Sequence, residues 1–182
     1  MQWSKTKSLV ESYLCEKLQG RVHIYATVYR KFHDQPSRVW ITVDKKEIVS
    51  GADTAYFEKH AKQYKRMKAK NSLKSIQLDN DWQKMMNSPE RKALVEASQS
   101  VDALLKTQTI FASADFYEAF MKYPLLSIND ALTNKQPIIQ AFAMFDRRVG
   151  KRTLLKLKAT QCTMPPVVQL FYRMRCEIEG LL

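Results

Sequence analysis

Apolar positions along this chain change their spacing twice. Val10, Tyr13, Leu14 and Leu18 recur at helical intervals and predict a first helix from about Lys5 to Leu18. Ser8 with Glu11 fits a capping box, and Gly20 supplies the stop. The period then drops to two. Val22, Ile24, Ala26 and Val28 alternate with His23, Tyr25, Thr27 and Tyr29, the pattern of a strand with one buried face. His33-Asp34-Gln35-Pro36-Ser37 reads as a turn. A second strand follows with Val39, Ile41 and Val43 on the core side, then a tight turn at Asp44-Lys45-Lys46-Glu47 and a short strand Ile48-Val49-Ser50. Two lysines suit a primed hairpin turn poorly, because such turns prefer Asn-Gly.

Helical spacing then returns and holds. Gly51-Ala52-Asp53 closes the sheet, and Asp53 is placed to cap a helix with Tyr56, Phe57, His60, Tyr64 and Met67 on one face. A polar loop runs from Asn71 to about Asp81. Ser88-Pro89-Glu90 opens a helix striped by Leu94, Val101, Leu104 and Leu105. Asp115 to Met121 is a short aromatic helix, and Ser127 to Asp130 is another capping pattern. Pro137 opens a helix with Ile138, Ala141, Phe142 and Phe145. Pro165-Pro166 opens the last, whose stripe is Val167, Leu170, Phe171, Met174, Ile178 and Leu181. The expected fold is therefore α+β. A three-stranded antiparallel sheet over about 21–50 is flanked by helices, and the C-terminal half is helical. One domain is expected over 1–182, with the portions 1–70 and 82–182 sharing a core.

Composition adds limits. In 182 residues, 45% are hydrophobic, enough for a core without disulfides. Cys15, Cys162 and Cys176 are odd in number and far apart, so neither a disulfide framework nor a zinc site is expected. No segment has the roughly 18–20 apolar residues of a membrane helix, and no apolar signal core stands near the start. A cytoplasmic location away from the membrane is the expectation.

The charge is the main functional clue. Thirty Lys and Arg against 18 Asp and Glu give +12, a balance that attracts phosphates and acidic partners. Two runs free of acids concentrate it. Lys59, Lys62, Lys65, Arg66, Lys68 and Lys70 form the first, and Arg147, Arg148, Lys151, Arg152, Lys156 and Lys158 the second. Either run can neutralise phosphates or serve as a solvated helix face. Within the second, Asp146 can pair with an arginine one turn on. Gly150 can end the preceding helix or bring two backbones close. The anion-binding set read here is Lys59, Lys62, Arg66, Arg147, Arg148, Lys151 and Arg152; the alternative for the second run is a helical corner stitched by ion pairs. The non-core face of the first two strands carries Tyr25, Tyr29 and Trp40 with His23, a surface able to stack bases unless the later helices cover it.

Signals for catalysis are sparse. Asp34 followed by Asp44-Lys45-Lys46 loosely matches a metal-dependent nuclease pattern, in which carboxylates hold Mg²⁺ and a lysine orients water. Both sites read as turns, where such residues are ordinary. His23, His33 and His60 lack metal-ligand spacing, no Gly-rich phosphate loop is present, and no cofactor, resident metal or catalytic residue is assigned. The order α-β-β-β-α over 5–70 is similar to that of double-stranded RNA-binding domains. Those domains open their second helix with Lys-Lys-x-Ala-Lys, whereas this one opens Asp53-Thr54-Ala55-Tyr56.

Several stretches carry a broader resemblance: Trp3-Ser4-Lys5-Thr6-Lys7, Ala26-Thr27-Val28-Tyr29-Arg30-Lys31, Arg38-Val39-Trp40-Ile41-Thr42-Val43-Asp44 and Phe145-Asp146-Arg147-Arg148-Val149-Gly150-Lys151-Arg152-Thr153-Leu154. Together they resemble a family of uncharacterised bacterial proteins of about this length. The resemblance implies a bacterial, cytoplasmic, single-domain protein and assigns no activity. The expected function is a non-enzymatic basic module for an anionic partner, either nucleic acid or an acidic protein. A protein-interaction or immunity-type factor with an apolar surface is the alternative, and the nuclease is the third.

Overall fold

The computed structural model describes residues 3–31, 35, 37–77 and 79–181. Most of the turn expected at His33–Ser37 lies outside them, Asp34 included. The fold is α+β. Strands β1 (Val22–Val28), β2 (Ser37–Val43) and β3 (Lys46–Ala52) form an antiparallel sheet in that order. Val22, Ile24, Val39, Ile41, Val43 and Val49 are buried on one face, as the alternation requires. The β2–β3 turn is made by Asp44 and Lys45, both at positive φ (49° and 67°), the primed geometry that the lysines made doubtful. Arg21 offsets that cost. Its guanidinium grips Asp44 bidentately at 2.8 and 2.6 Å, and the Asp44 N–H donates to the Arg21 carbonyl at 3.0 Å. The register shifts between Ile41 and Thr42, which pair with Val49 and Glu47, so Ile48 bulges from β3.

The first helix is shorter than its stripe suggests. Helix α1 spans Trp3–Glu11, and Glu16–Leu18 is a separate 3-10 turn. The segment between them leaves the helix to pair with a distant strand-like stretch. The Cys15 N–H donates to the Phe145 carbonyl at 2.9 Å and the Arg147 N–H to the Tyr13 carbonyl at 2.8 Å, around an antiparallel bridge of Leu14 and Asp146. No local signal announces this, because the partner lies in the other half of the chain. Gly20, at φ +74°, then turns the chain into β1.

Helices α5 (Ser113–Lys122), α7 (Pro137–Phe145) and α9 (Pro166–Glu179) build the rest of the core; α6 (Ile128–Leu132) and α8 (Lys151–Leu157) flank them. In α7, only Pro137 and Gln140 escape full burial, and Phe145 stacks on Phe171 of α9 at 4.4 Å. Gly150 precedes α8 instead of ending α7, and a side chain there would meet nothing within 4 Å. Gly51 is different. A Cβ on it would come within 2.5 Å of the Ala112 carbonyl oxygen, so β3 passes the start of α5 at a distance only glycine allows. Asp53 fastens the same corner rather than capping its own helix. Its carboxylate accepts from the Ser37 N–H (2.8 Å), the Ser113 N–H (2.8 Å) and the Ser113 hydroxyl (2.9 Å).

Helices α2 (Asp53–Lys70) and α4 (Pro89–Thr107) run antiparallel as a two-helix arm, joined through the short α3 (Trp82–Met86). No residue of α2 is buried, and α4 buries only Ala97, Val101 and Leu105. Phe57 and Leu104, read as contact-face residues, are 62% and 38% exposed.

Candidate polyanion interface

Helix α2 presents the first basic run. At 3.6 residues per turn, Lys59, Lys62, Arg66 and Lys70 follow one flank over about 16 Å. Tyr56, His60, Gln63 and Met67 occupy the neighbouring, half-buried face. None of the six cations of the run makes an ion pair with a described acid. Lys68 donates to the Ser75 hydroxyl at 3.2 Å, and the others reach solvent. Arg21, Arg38, Lys106 and Lys122, by contrast, are each neutralised within the chain.

The second run divides. Arg148 points inward to Asp146, which is wholly buried. The Asp146 carboxylate accepts from the Arg148 N–H (2.7 Å), from its Nε (3.1 Å) and Nη2 (2.8 Å), and from the Tyr123 hydroxyl. The Arg148 guanidinium also lies 4.6 Å from the centre of the Tyr13 ring and donates to the Leu126 carbonyl at 3.2 Å. These hydrogen bonds hold Arg148 above its ordinary range, while burial, and then the bond to Asp146, push the Tyr123 hydroxyl up. Arg175, buried in α9, closes the corner from below by donating to the carbonyls of Phe145 (3.3 Å) and Val149 (3.2 Å). The corner is thus an ion-paired staple, with the aspartate's partner two residues on instead of one turn on. Lys151 reaches the Glu179 carbonyl at 3.3 Å. Arg147, Arg152, Lys156 and Lys158 stay exposed. The two runs ride on separate supports. Helix α2 packs on α4 and, at its start, on β2 and β3, whereas α8 packs on α9 and the 3-10 turn that follows it.

The outer sheet face keeps its aromatic residues accessible. Tyr25 and Tyr29 are 41% and 43% exposed, and Trp40 is half-buried. Tyr25 stacks on Trp40, its partner across the strands, at 5.2 Å and 17°. Lys7 Nζ lies 5.3 Å from the Tyr25 ring centre and Arg38 4.9 Å from that of Trp40. Arg38 in turn meets Glu47 at 2.5 Å. Surface cation–π contacts of this kind contribute about 0.5–1 kcal/mol each.

A polar cluster also lies within the arm. Tyr56 donates to Asp102, and burial with that bond raises the Tyr56 hydroxyl above its usual range. Ser98 Oγ and Asp102 Oδ1 both approach His60 Nε2, at 3.3 and 3.2 Å. A nucleophile–base–acid relay uses both ring nitrogens, one toward each partner. Sharing a single nitrogen makes this set an interhelical tie. Of the nuclease residues, Asp44 is held by Arg21, and hydrogen bonding from that arginine keeps its carboxyl below the usual range. Among the described residues no group of three His, Cys, Asp or Glu side chains is placed to hold a metal ion. Nor is any described helix long and apolar enough to cross a membrane.

The fold and surface together define a class: an α+β protein with a basic two-helix arm beside an open aromatic sheet face. Residues 2–176 match the family model of the SF0329 protein family, and the chain belongs to that family. The membership agrees with the resemblance to an uncharacterised family. No curated protein and no solved structure matches the chain.

Proposed function

We propose that the protein is a non-enzymatic module that binds a polyanionic partner through helix α2. The observation that carries this is the density of unpaired cations on one helix. Six cations crowd one exposed helix with no described acid to neutralise them, whereas Arg21, Arg38, Lys106 and Lys122 are each matched within the chain. The outer flank of α2 packs on nothing described, so packing gives little reason for such a concentration of like charge, which is mildly self-repulsive. Of the sequence-derived set, Lys59, Lys62 and Arg66 remain the main contacts. Arg147, Lys151 and Arg152 form a separate, weaker patch, and Arg148 is left out because its guanidinium serves Asp146. The reading assumes a bacterial cytoplasm, a reducing compartment that suits three unpaired thiols.

The test is retention on nucleic acid and on polyaspartate across a salt series. Four phosphate contacts along the stripe give a log–log salt slope of about −3. Lys59→Glu, Lys62→Glu and Arg66→Glu combined should cost at least about tenfold in affinity with the circular dichroism unchanged. Equal binding by that variant, or no binding to any polyanion at low salt, removes the proposal. A second reading rests on Phe57 and Trp82, 62% and 64% exposed on the arm, and makes the partner an apolar protein surface. Salt-insensitive capture lost with Phe57→Ser and Trp82→Ser separates it from the first.

A further inference from the structure

A hollow joins the rim of the aromatic sheet face to the start of α2. Tyr29, Ser37 and Arg38 line this hollow of about 440 Å³ whose opposite wall is the first turns of α2, including Ala55 and Glu58. Ala55 stands four, seven and eleven residues before Lys59, Lys62 and Arg66, which puts all four on the same helical flank. A ligand leaving the hollow along Ala55 therefore meets the lysines in order. On the sheet side the hollow adjoins Arg38, which lies against Trp40, which stacks on Tyr25, beside which stands Lys7.

Resting on the polyanion reading, we infer that this surface takes a single-stranded nucleic acid, with bases against Tyr25 and Tyr29 and the backbone along Lys59, Lys62 and Arg66. Charge alone does not choose between polyanions, but the rings do. A duplex hides its base faces in its own stack, and an acidic protein segment brings no planar rings in series, whereas an unpaired strand offers both phosphates and open π-faces. The cations beside the rings fit the same ligand. Lys7, half-buried and paired only loosely with Glu11 at 3.7 Å, can move from the Tyr25 ring to a phosphate and yield the ring to a base. That exchange is favourable because base stacking on an aromatic side chain exceeds a surface cation–π contact. Glu47 does not oppose it, since Arg38 neutralises that carboxylate. Glu58, on the rim of the hollow and one turn before Lys62, disfavours a phosphate at the rim itself, so the backbone contacts lie farther along α2.

The experiment compares fluorescently labelled oligothymidine with a duplex of equal length, and with polyaspartate, on the full chain at one low salt concentration. Tyr25→Ala with Tyr29→Ala should weaken oligothymidine binding about tenfold and duplex binding less than twofold, with Tyr25→Phe and Tyr29→Phe restoring most of the loss. Both side chains are exposed, so circular dichroism should not change. Equal effects on both nucleic acids, or none on oligothymidine, overturn the inference. If at the same time Lys59→Glu, Lys62→Glu and Arg66→Glu together still abolish binding, the polyanion reading stands without it. Retention on polyaspartate but not on oligothymidine has the same meaning, and wild-type protein that binds none of the three probes removes both.

Discussion

Asp146 shows how much one residue can organise. Its buried carboxylate is satisfied by a backbone amide, an arginine and a tyrosine, and the arginine is in turn fixed against an aromatic ring. Removing one partner of such a pair strands the other. Asp146→Ala should therefore destabilise the fold by about 3–5 kcal/mol, read from urea unfolding. Tyr123→Phe should cost about 1–2 kcal/mol. It also has a pH signature. Because the folded state holds the Tyr123 hydroxyl protonated above its ordinary range, the unfolded chain releases that proton first, at about pH 10. Stability is then full below about pH 10 and falls as the pH rises beyond it. The fall should be shallower in Tyr123→Phe, with Tyr56 and Tyr172, also shifted upward, supplying what remains. At this scale the sequence was only half readable. The acid–arginine adjacency at 146–148 suggested an ion pair, but nothing local told that Arg148 would turn inward while Arg147 stayed out. That choice is made by Tyr13 and Tyr123, which arrive from elsewhere in the chain. Asp53 misled for the same reason: an aspartate before a helix reads as a cap until Ser37 and Ser113 are in place.

At the scale of elements, the strands were the most legible feature, because period-two alternation is a local property and one face is buried. Their ends were not. Strand β3 runs Lys46–Ala52, longer than the expected Ile48-Val49-Ser50, since its outer residues are held by backbone pairing and not by apolar burial. Its exit depends on Gly51. Gly51→Ala drives a methyl group into the Ala112 carbonyl and should cost about 1–3 kcal/mol by thermal or urea unfolding, or force β3 away from α5. The same substitution at Gly150, where space is open, should change stability by less than about 0.5 kcal/mol. Helix α1 makes the complementary point. Its apolar stripe continues to Leu18, yet the helix stops at Glu11, because pairing of Tyr13 and Cys15 with the 145–147 segment outcompetes two more helical turns.

Across the whole molecule, packing is uneven. Helix α7 is almost entirely inside, and α2 has no buried residue. Amides in the outer turns of α2 should exchange with solvent orders of magnitude faster than those of α7, as hydrogen-exchange mass spectrometry can measure. The same asymmetry explains which part of the candidate surface sequence reading reached. The basic run on α2 was visible because its charges need no tertiary partner. Its alignment with the hollow beside Tyr29 and Arg38 was not, since that depends on how α2 leaves β3.

The pairing of Tyr13–Cys15 with Phe145–Arg147 also constrains the order of events during synthesis. The opening segment can find its backbone partner only after most of the chain has been made. Until then α1 has neither its anchor nor helix α5, whose Tyr117 and Phe120 pack on Trp3. A fragment ending after α2 retains every strand of the sheet but lacks the surface that closes over it. Such a nascent chain waits with its hydrophobic face open, and chaperones and proteases will meet it in that state.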